Sequence, residues 1–284
     1  MDTILELKHI NKKFDGFSLK DISLTVPKGT IVGLIGENGA GKSTIINIIE
    51  GLLKEDNGEI YVFNQELRKN EKQIKQDIGV IYDTCHYNEA FKCADLDKMM
   101  SLVYHHWDHE LSMEYVHRFS LPTNKPISKF SKGMKMKLCF AVELAHHPKL
   151  LILDEATTGL DPIVRDEILD ILHDFIMDEN HGILISSHIT SDLDKIVDYI
   201  TFIHNGEILL TKTYNDIQSN YGIIHCGQKI FEALPEDEIL AYKKEDFSYK
   251  VLVDHRQEFQ NIYQDLVIEK ATIEDIMLMY VRGG

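Results

Sequence analysis

The stretch Gly36 to Thr44 reads GENGAGKST and carries the strongest chemical pattern in the chain. It fits G-x-x-x-x-G-K-[ST] in full. It also lies between a short apolar run, TIVGLIG, and a segment with helical spacing, KSTIINIIEGLL, which is the setting a phosphate-binding loop requires. Gly36, Gly39 and Gly41 free the backbone to curl its amides around an anion. The whole run, with Glu37, Asn38, Ala40 and Thr44 between and beyond them, is the expected nucleotide-phosphate-binding loop. Lys42 is expected to reach the β- and γ-phosphates, and the Ser43 hydroxyl to ligate Mg²⁺. A fortuitous Gly-rich turn is the competing reading.

A second pattern is LLILDE, Leu150 to Glu155. A buried apolar strand ending in acid is costly unless the acid is used. Asp154 is expected to hold Mg²⁺ with its water shell, and Glu155 to poise the attacking water. Glu155 as a mere strand cap is the alternative. His188 follows the apolar run GILIS. A lone His at a strand end is usually structural, but this one falls where ligands gather in a parallel sheet, beside the loop and the Asp-Glu pair.

The elements that must hold these residues can be read from periodicity. ILELKHI and FSLKDISLTV alternate as edge or antiparallel strands, and Thr30 to Leu53 reads strand, glycine loop, helix. EIYVF and IGVIY are short strands. Residues 84 to about 129 have more His, Met and aromatics, with helices expected over 95–106 and 111–119. Ser131 to His147 is helical again, LLILDE a buried strand, and PIVRDEILDILHDFIM an amphipathic helix. GILISSH is a further strand, SDLDKIV a short helix, and YITFIHNGEILL a hairpin on an Asn-Gly turn. Alternating strands and helices imply an α/β fold with a mostly parallel core sheet covered on both faces. In the tail, SYKVLV and DLVIEK read as strands and EDIMLMYV as a helix. The expected division is 1–212, with a helical part over about 84–149, and a small α+β unit over 213–284.

Composition narrows the function. The 284 residues carry a net charge of −16, which repels phosphate backbones and argues against a nucleic-acid partner. Any phosphate site must therefore be local. Cys85, Cys93, Cys139 and Cys226 form no CxxC pair and read as free thiols in a reducing compartment. Cys85, His86 and Cys93 fit no zinc spacing. MDTILELK lacks the form of a signal peptide, and no apolar run approaches the roughly 20 residues of a membrane helix.

Within this acidic chain, FSKGMKMK places Lys132, Lys135 and Lys137 on one short turn. The order Gly-rich loop, FSKGM, LLILDE, TTGLDP, SSH resembles the ATPase subunit of ATP-binding-cassette (ABC) transporters over residues 1 to about 212, as a P-loop NTPase of ABC type. FSKGM takes the place of the family's LSGGQ signature. Ser131 and Gly133 match it, whereas Phe130, Lys132 and Met134 depart. The resemblance implies that the loop Gly36 to Thr44 binds ATP and that the turn Ser131, Lys132, Gly133 docks on an ATP held by another subunit's loop, and a helix N-terminus suits an anion. It further implies a dimer loop at Gly159, Leu160 and Asp161, and an adenine-stacking aromatic at Phe14, for which a core Phe is the equal alternative. Asp83 stands where the family has a metal-contacting glutamine, and so becomes an expected Mg²⁺ ligand.

These features look like the branch of small Gram-positive exporters paired with ABC-2 type permeases, some of which export antibiotic peptides or phenol-soluble modulins. The resemblance thus implies an ATP- and Mg²⁺-dependent hydrolase working as a head-to-tail homodimer or heterodimer. It would be cytoplasmic, peripheral on the inner face of the membrane through its permease. Tyr87 and Phe91, within a docking groove over 84–110, are the expected permease contacts, with packing inside the helical part as the alternative. A soluble ATPase that remodels nucleic acid or ribosomes would usually carry two cassettes or a long coiled-coil insertion. A non-hydrolysing nucleotide switch is disfavoured by the retained Glu155 and His188.

Overall fold

The computed structural model describes residues 2–188, 190–263 and 266–282. The chain begins with two antiparallel strands, β1 (Thr3–Lys13) and β2 (Ser18–Pro27), then β3 (Thr30–Ile35) and helix α1 (Lys42–Ile49). Next come β4 (Asn57–Val62), β5 (Gln65–Glu66), α2 (Leu67–Ile74) and β6 (Ile78–Tyr82). Three helices come after it: α3 (Cys93–Met100), α4 (His109–Arg118) and α5 (Lys132–Leu144). The chain re-enters the sheet as β7 (Leu150–Asp154), α6 (Pro162–Ile176), β8 (Gly182–Ser187), α7 (Thr190–Leu193), β9 (Tyr199–His204) and β10 (Glu207–Thr213). The remainder is α8 (Tyr214–Asn220), β11 (Gly222–Cys226), α9 (Gln228–Phe231), β12 (Ala241–Lys244), β13 (Tyr249–Val253), α10 (Arg256–Ile262), β14 (Ile268–Lys270) and α11 (Ile273–Arg282).

The central sheet has the order β10-β9-β3-β8-β7-β6. Its strands β9, β3, β8, β7 and β6 run parallel, and β10 closes the edge as the antiparallel arm of a hairpin. Leu150 to Leu153 and Gly182 to Ser187 are buried without interruption, as expected of strands covered on both faces. The Asn205-Gly206 turn has positive φ at both residues, 48° and 76°, the geometry a tight hairpin prefers. The antiparallel β2-β1-β4-β5 sheet shares one apolar core with α1 and one face of the central sheet. The main core fills the other face under α3 to α6.

Register makes this scaffold useful. Ile35 pairs with Ser187, Asp154 with Ser186, and Tyr82 with Asp154. The carboxyl ends of β3, β8, β7 and β6 are therefore level. The residues that leave them, Gly36, His188, Glu155 and Asp83, emerge along one edge, where open α/β sheets bind ligands.

Several boundaries differ from the sequence reading. α1 stops at Ile49 and not near Leu53, because Gly51 adopts φ 72° and ends the helix in the left-handed region. α3 starts at Cys93, where Asp95 Oδ2 accepts from the Lys92 amide at 3.0 Å, and ends at Met100. Beyond Thr213 a third sheet, β12-β13-β11-β14, has its own small core around Val251, Val253 and Phe259; β11 and β12 were not foreseen. The expected strand DLVIEK includes Asp265, which lies outside the described residues. From this region α11 returns to the main core through Ile273, Ile276 and Met279, and Tyr280 lies 6.0 Å from the Phe202 ring. Among the described residues no helix is long and apolar enough to cross a membrane.

Candidate active site

The loop after β3 is shaped by close backbone approach. A Cβ on Gly36 would meet the Ile203 carbonyl oxygen at 2.3 Å, and Gly41, at φ 116°, leads directly into α1. No other residue type fits the first position without moving β9. Lys42 is buried to 5% exposure. Its ammonium lies across the loop, donating to the Gly36 carbonyl at 2.8 Å and to that of Glu37 at 3.2 Å. Ser43 stands exposed on the first turn of α1.

Glu155 leaves β7 at φ 53°, a conformation uncommon outside glycine and often found at functional positions. Its amide reaches the carbonyl and the hydroxyl of Ser186, each at 3.2 Å. Its two carboxylate oxygens differ. Oε2 accepts from Thr158 Oγ1 at 3.0 Å and contacts His188 Nδ1 at 2.5 Å. Oε1 is buried, with no hydrogen-bond partner among the described residues. The Lys42 ammonium lies 3.3 Å from it, a charge contact that lacks hydrogen-bond geometry. Asp154 accepts from Ser186 Oγ at 2.5 Å. Lys42, Glu155 and His188 thus form one cluster from three separate chain segments.

Oxygen ligands suit Mg²⁺, and Ser43 and Asp154 supply a hydroxyl and a carboxylate at the same sheet edge. Asp83 is exposed and lines a cavity of about 400 Å³ with Cys85, Lys132 and Lys135 among others.

The lysine-rich turn is also built from its residues upward. Ser131 caps α5, its Oγ accepting from the Met134 amide at 3.2 Å. Gly133 packs over α6: a Cβ there would lie 3.1 Å from Val164. Lys135 pairs with Glu89 and Lys137 with Glu167. Lys132 instead donates to the Thr158 carbonyl at 2.7 Å, at the start of the loop that contains Gly159, Leu160 and Asp161. Asp161 caps α6 by accepting from the Val164 amide at 3.1 Å, Leu160 is buried, and Gly159 takes φ 69°.

Phe14 sits on the turn between β1 and β2, 37% exposed, its ring 6.3 Å from that of Phe17. The Phe17 ring abuts Gly41, at 3.1 Å from the position of a Cβ there. Phe14 therefore belongs to the rim next to the glycine loop.

Tyr87 and Phe91 pack against the main core, and the Tyr87 hydroxyl donates to Glu143 Oε1 at 2.9 Å. This favours the packing alternative over a docking contact, because the tyrosine is committed to a buried acid of α5. Sequence reasoning also passed over Ser186 and Thr158. Ser186 is fully buried at the end of the apolar run Gly182 to Ile185, and a buried hydroxyl must find a partner. That signal was available.

The family described as ABC transporter matches residues 19–158. The bacitracin transport ATP-binding protein of Bacillus licheniformis is 36% identical over 213 residues, covering 74% of this chain and 69% of that protein. The lantibiotic transport ATP-binding protein of Streptococcus pyogenes is 33% identical over 232 residues, covering 81% of this chain and 99% of that protein. Among solved structures, one described as the ATP binding subunit of an ABC transporter superposes with a TM-score of 0.70 at 28% identity, over 76% of this chain and 92% of that one.

Proposed function

The chain belongs to the ATP-binding subunits of ABC transporters, ATPases whose hydrolysis is coupled to transport, and from that premise we propose that it is the motor of a peptide exporter. Two copies would enclose two ATP molecules head to tail and drive an integral-membrane permease of ABC-2 type from the cytoplasmic face. The names of the bacitracin and lantibiotic transport relatives support a peptide cargo. We read residues 1–212 as the nucleotide-binding unit, about 84–149 as its helical part, and 213–284 as a C-terminal addition.

The observation that carries the catalytic reading is the asymmetry of Glu155. Thr158 and His188 hold Oε2, while Oε1 is buried with no hydrogen bond among the described residues and lies 3.3 Å from the Lys42 ammonium. Oε1 would take the proton of the attacking water once Lys42 turns to a bound phosphate. A carboxylate positioned in this way acts as a general base. The amides of Gly36 to Thr44 and the Lys42 ammonium bind the phosphates, and Phe14 offers a face to the base. Ser43, Asp154 and Asp83 would hold Mg²⁺, which when bound stabilises charge on the phosphate oxygens. The Ser131, Lys132, Gly133 turn and the Gly159, Leu160, Asp161 loop would face the second copy.

Steady-state hydrolysis tests this assignment. Glu155→Gln should slow turnover by a factor on the order of 10² or more while keeping ATP binding, whereas Lys42→Ala should lose binding. A Glu155→Gln chain that hydrolyses at the normal rate sinks the assignment.

For the permease, exposed Leu102 and Val103, at 84% and 53%, replace Tyr87 and Phe91 as the proposed contacts within 84–110. Changing both to Asp should release a co-purifying membrane protein and leave the ATPase rate of the isolated chain unchanged. Retention of the partner would move docking elsewhere.

A further inference from the structure

We propose that Lys132 is a positioning residue: it ties the turn that begins α5 to the loop after Glu155, so that docking of this turn on one nucleotide sets the carboxylate that acts on the other. The inference rests on the head-to-tail reading above, and it assigns a role to the residue that departs from the family's glycine.

The geometry is a short run of hydrogen bonds. Lys132 Nζ donates to the Thr158 carbonyl at 2.7 Å and lies 3.0 Å from where a Cβ on Gly159 would stand. The Thr158 amide donates to the Glu155 carbonyl at 3.0 Å, and Thr158 Oγ1 donates to Glu155 Oε2, also at 3.0 Å. The same oxygen meets His188 at 2.5 Å. One residue, Thr158, therefore receives the lysine on its carbonyl and holds the glutamate with its hydroxyl and its amide.

Both ends of the run are firm. Ala156, Thr157 and Leu160 are buried on either side of Thr158, so a displacement of its carbonyl is not absorbed by a loose loop. On the other side, Ser131 is fixed as the cap of α5 and Gly133 is packed on Val164. The lysine pattern points the same way. Lys135 and Lys137 pair with carboxylates on neighbouring elements, while Lys132 is held by a neutral carbonyl beside the catalytic cluster. An ammonium on a backbone carbonyl is a charge-assisted bond, and a methyl in its place would leave the loop untied. A glutamate displaced by a fraction of an ångström loses alignment with the water it orients, and misplacement of that kind is costly in rate.

The test uses the full chain with ATP and Mg²⁺. Lys132→Met keeps the side-chain length and removes the donor; Lys132→Arg keeps a cation and a donor. Binding of a fluorescent ATP analogue at protein concentrations low enough to keep the chain monomeric reports the loop of the same chain, which Lys132 does not touch, and melting temperature reports the fold. For Lys132→Met we expect about a tenfold or larger fall in kcat. Analogue affinity and melting temperature should be unchanged, and the dependence of rate on ATP less cooperative. Lys132→Arg should recover most of the rate. The proposal is overturned if Lys132→Met turns over at the wild-type rate while Glu155→Gln is inactive. It is also overturned if Arg fails as badly as Met, or if Met loses analogue binding. If instead Glu155→Gln is as active as wild type, the reading beneath the proposal falls, whatever Lys132 does.

Discussion

Glu155 and Cys85 show how surroundings give one atom a task that its neighbour does not have. In Glu155, one oxygen is hydrogen-bonded by Thr158 and His188, while the other has no hydrogen bond among the described residues and meets the Lys42 ammonium at 3.3 Å. The proposed general base would use this difference: an anchored oxygen to fix the plane and one without a hydrogen bond to take the proton. Cys85 is a different case. A hydrogen bond from the Cys139 thiol brings its pKa from 9.0 down to about 7, against the effect of burial and with help from the Tyr87 amide and the Lys135 ammonium. Burial pushes Cys93 and Cys226 up. Because the thiolate is the nucleophile, lowering the pKa moves the onset of reactivity to lower pH. Iodoacetamide should therefore modify Cys85 first near neutral pH, with a rate that rises through about pH 7 and levels off above it. Mass mapping that finds Cys93 or Cys226 labelled as fast, or a Cys85 midpoint near 9, contradicts the geometry. That the glycine loop, the Asp-Glu pair and His188 meet at one sheet edge was legible, because each ends or directly follows a buried apolar strand. The bond between Lys132 and Thr158, like the Cys85–Cys139 pair, was not. Each joins residues at least 26 positions apart in the chain, and nothing local marks which partner a lysine or a thiol will meet.

Among the elements, α5 is tied to the sheet by one buried acid. Glu143, at 7% exposure, accepts from the Tyr87 hydroxyl at 2.9 Å and from the Val80 amide of β6 at 3.2 Å, and meets His146 Nε2 at 3.3 Å. The His146 ring stacks on Tyr104 at 3.8 Å between centroids. A single carboxylate therefore joins the end of α5, β6 and the segment leading into α3. Tyr87→Phe keeps the ring and removes one hydrogen bond to a buried charge. We expect it to lower the unfolding free energy by about 1.5–3 kcal/mol. Urea denaturation of the two proteins checks this, and an unchanged midpoint would show that the bond carries no stability. Elements with an unbroken apolar run or a regular stripe were readable: β3, β7, β8 and α6. β11 (GIIHC) and β12 (AYKK) carry neither, and their strand character comes from pairing with β13. The direction of Tyr87 was equally hidden, since an aromatic in a loop suits a contact surface and a core alike, and only the position of Glu143 decides.

For the whole molecule, the edge where β3, β8, β7 and β6 end gathers Lys42, Glu155 and His188, while the Ser131 turn and the Gly159 loop stand together at the start of α5 and α6. The chain bonds those two surfaces to each other through Lys132 and Thr158, a layout suited to a second copy meeting both at once. An acidic chain of net charge −16 opposes association with its own copy through long-range repulsion. In the proposed head-to-tail dimer, two shared nucleotides with Mg²⁺ would supply the local attraction, so dimerisation is expected to depend on ATP. Blocking hydrolysis while keeping binding should trap it. The most direct measurement is light scattering of the Glu155→Gln chain with ATP and Mg²⁺. The molar mass should rise from the monomer's 32.7 kDa towards twice that value when ATP is added, and stay there, while Lys42→Ala shows no rise. A Glu155→Gln chain that binds ATP and remains at the monomer mass would contradict the head-to-tail dimer.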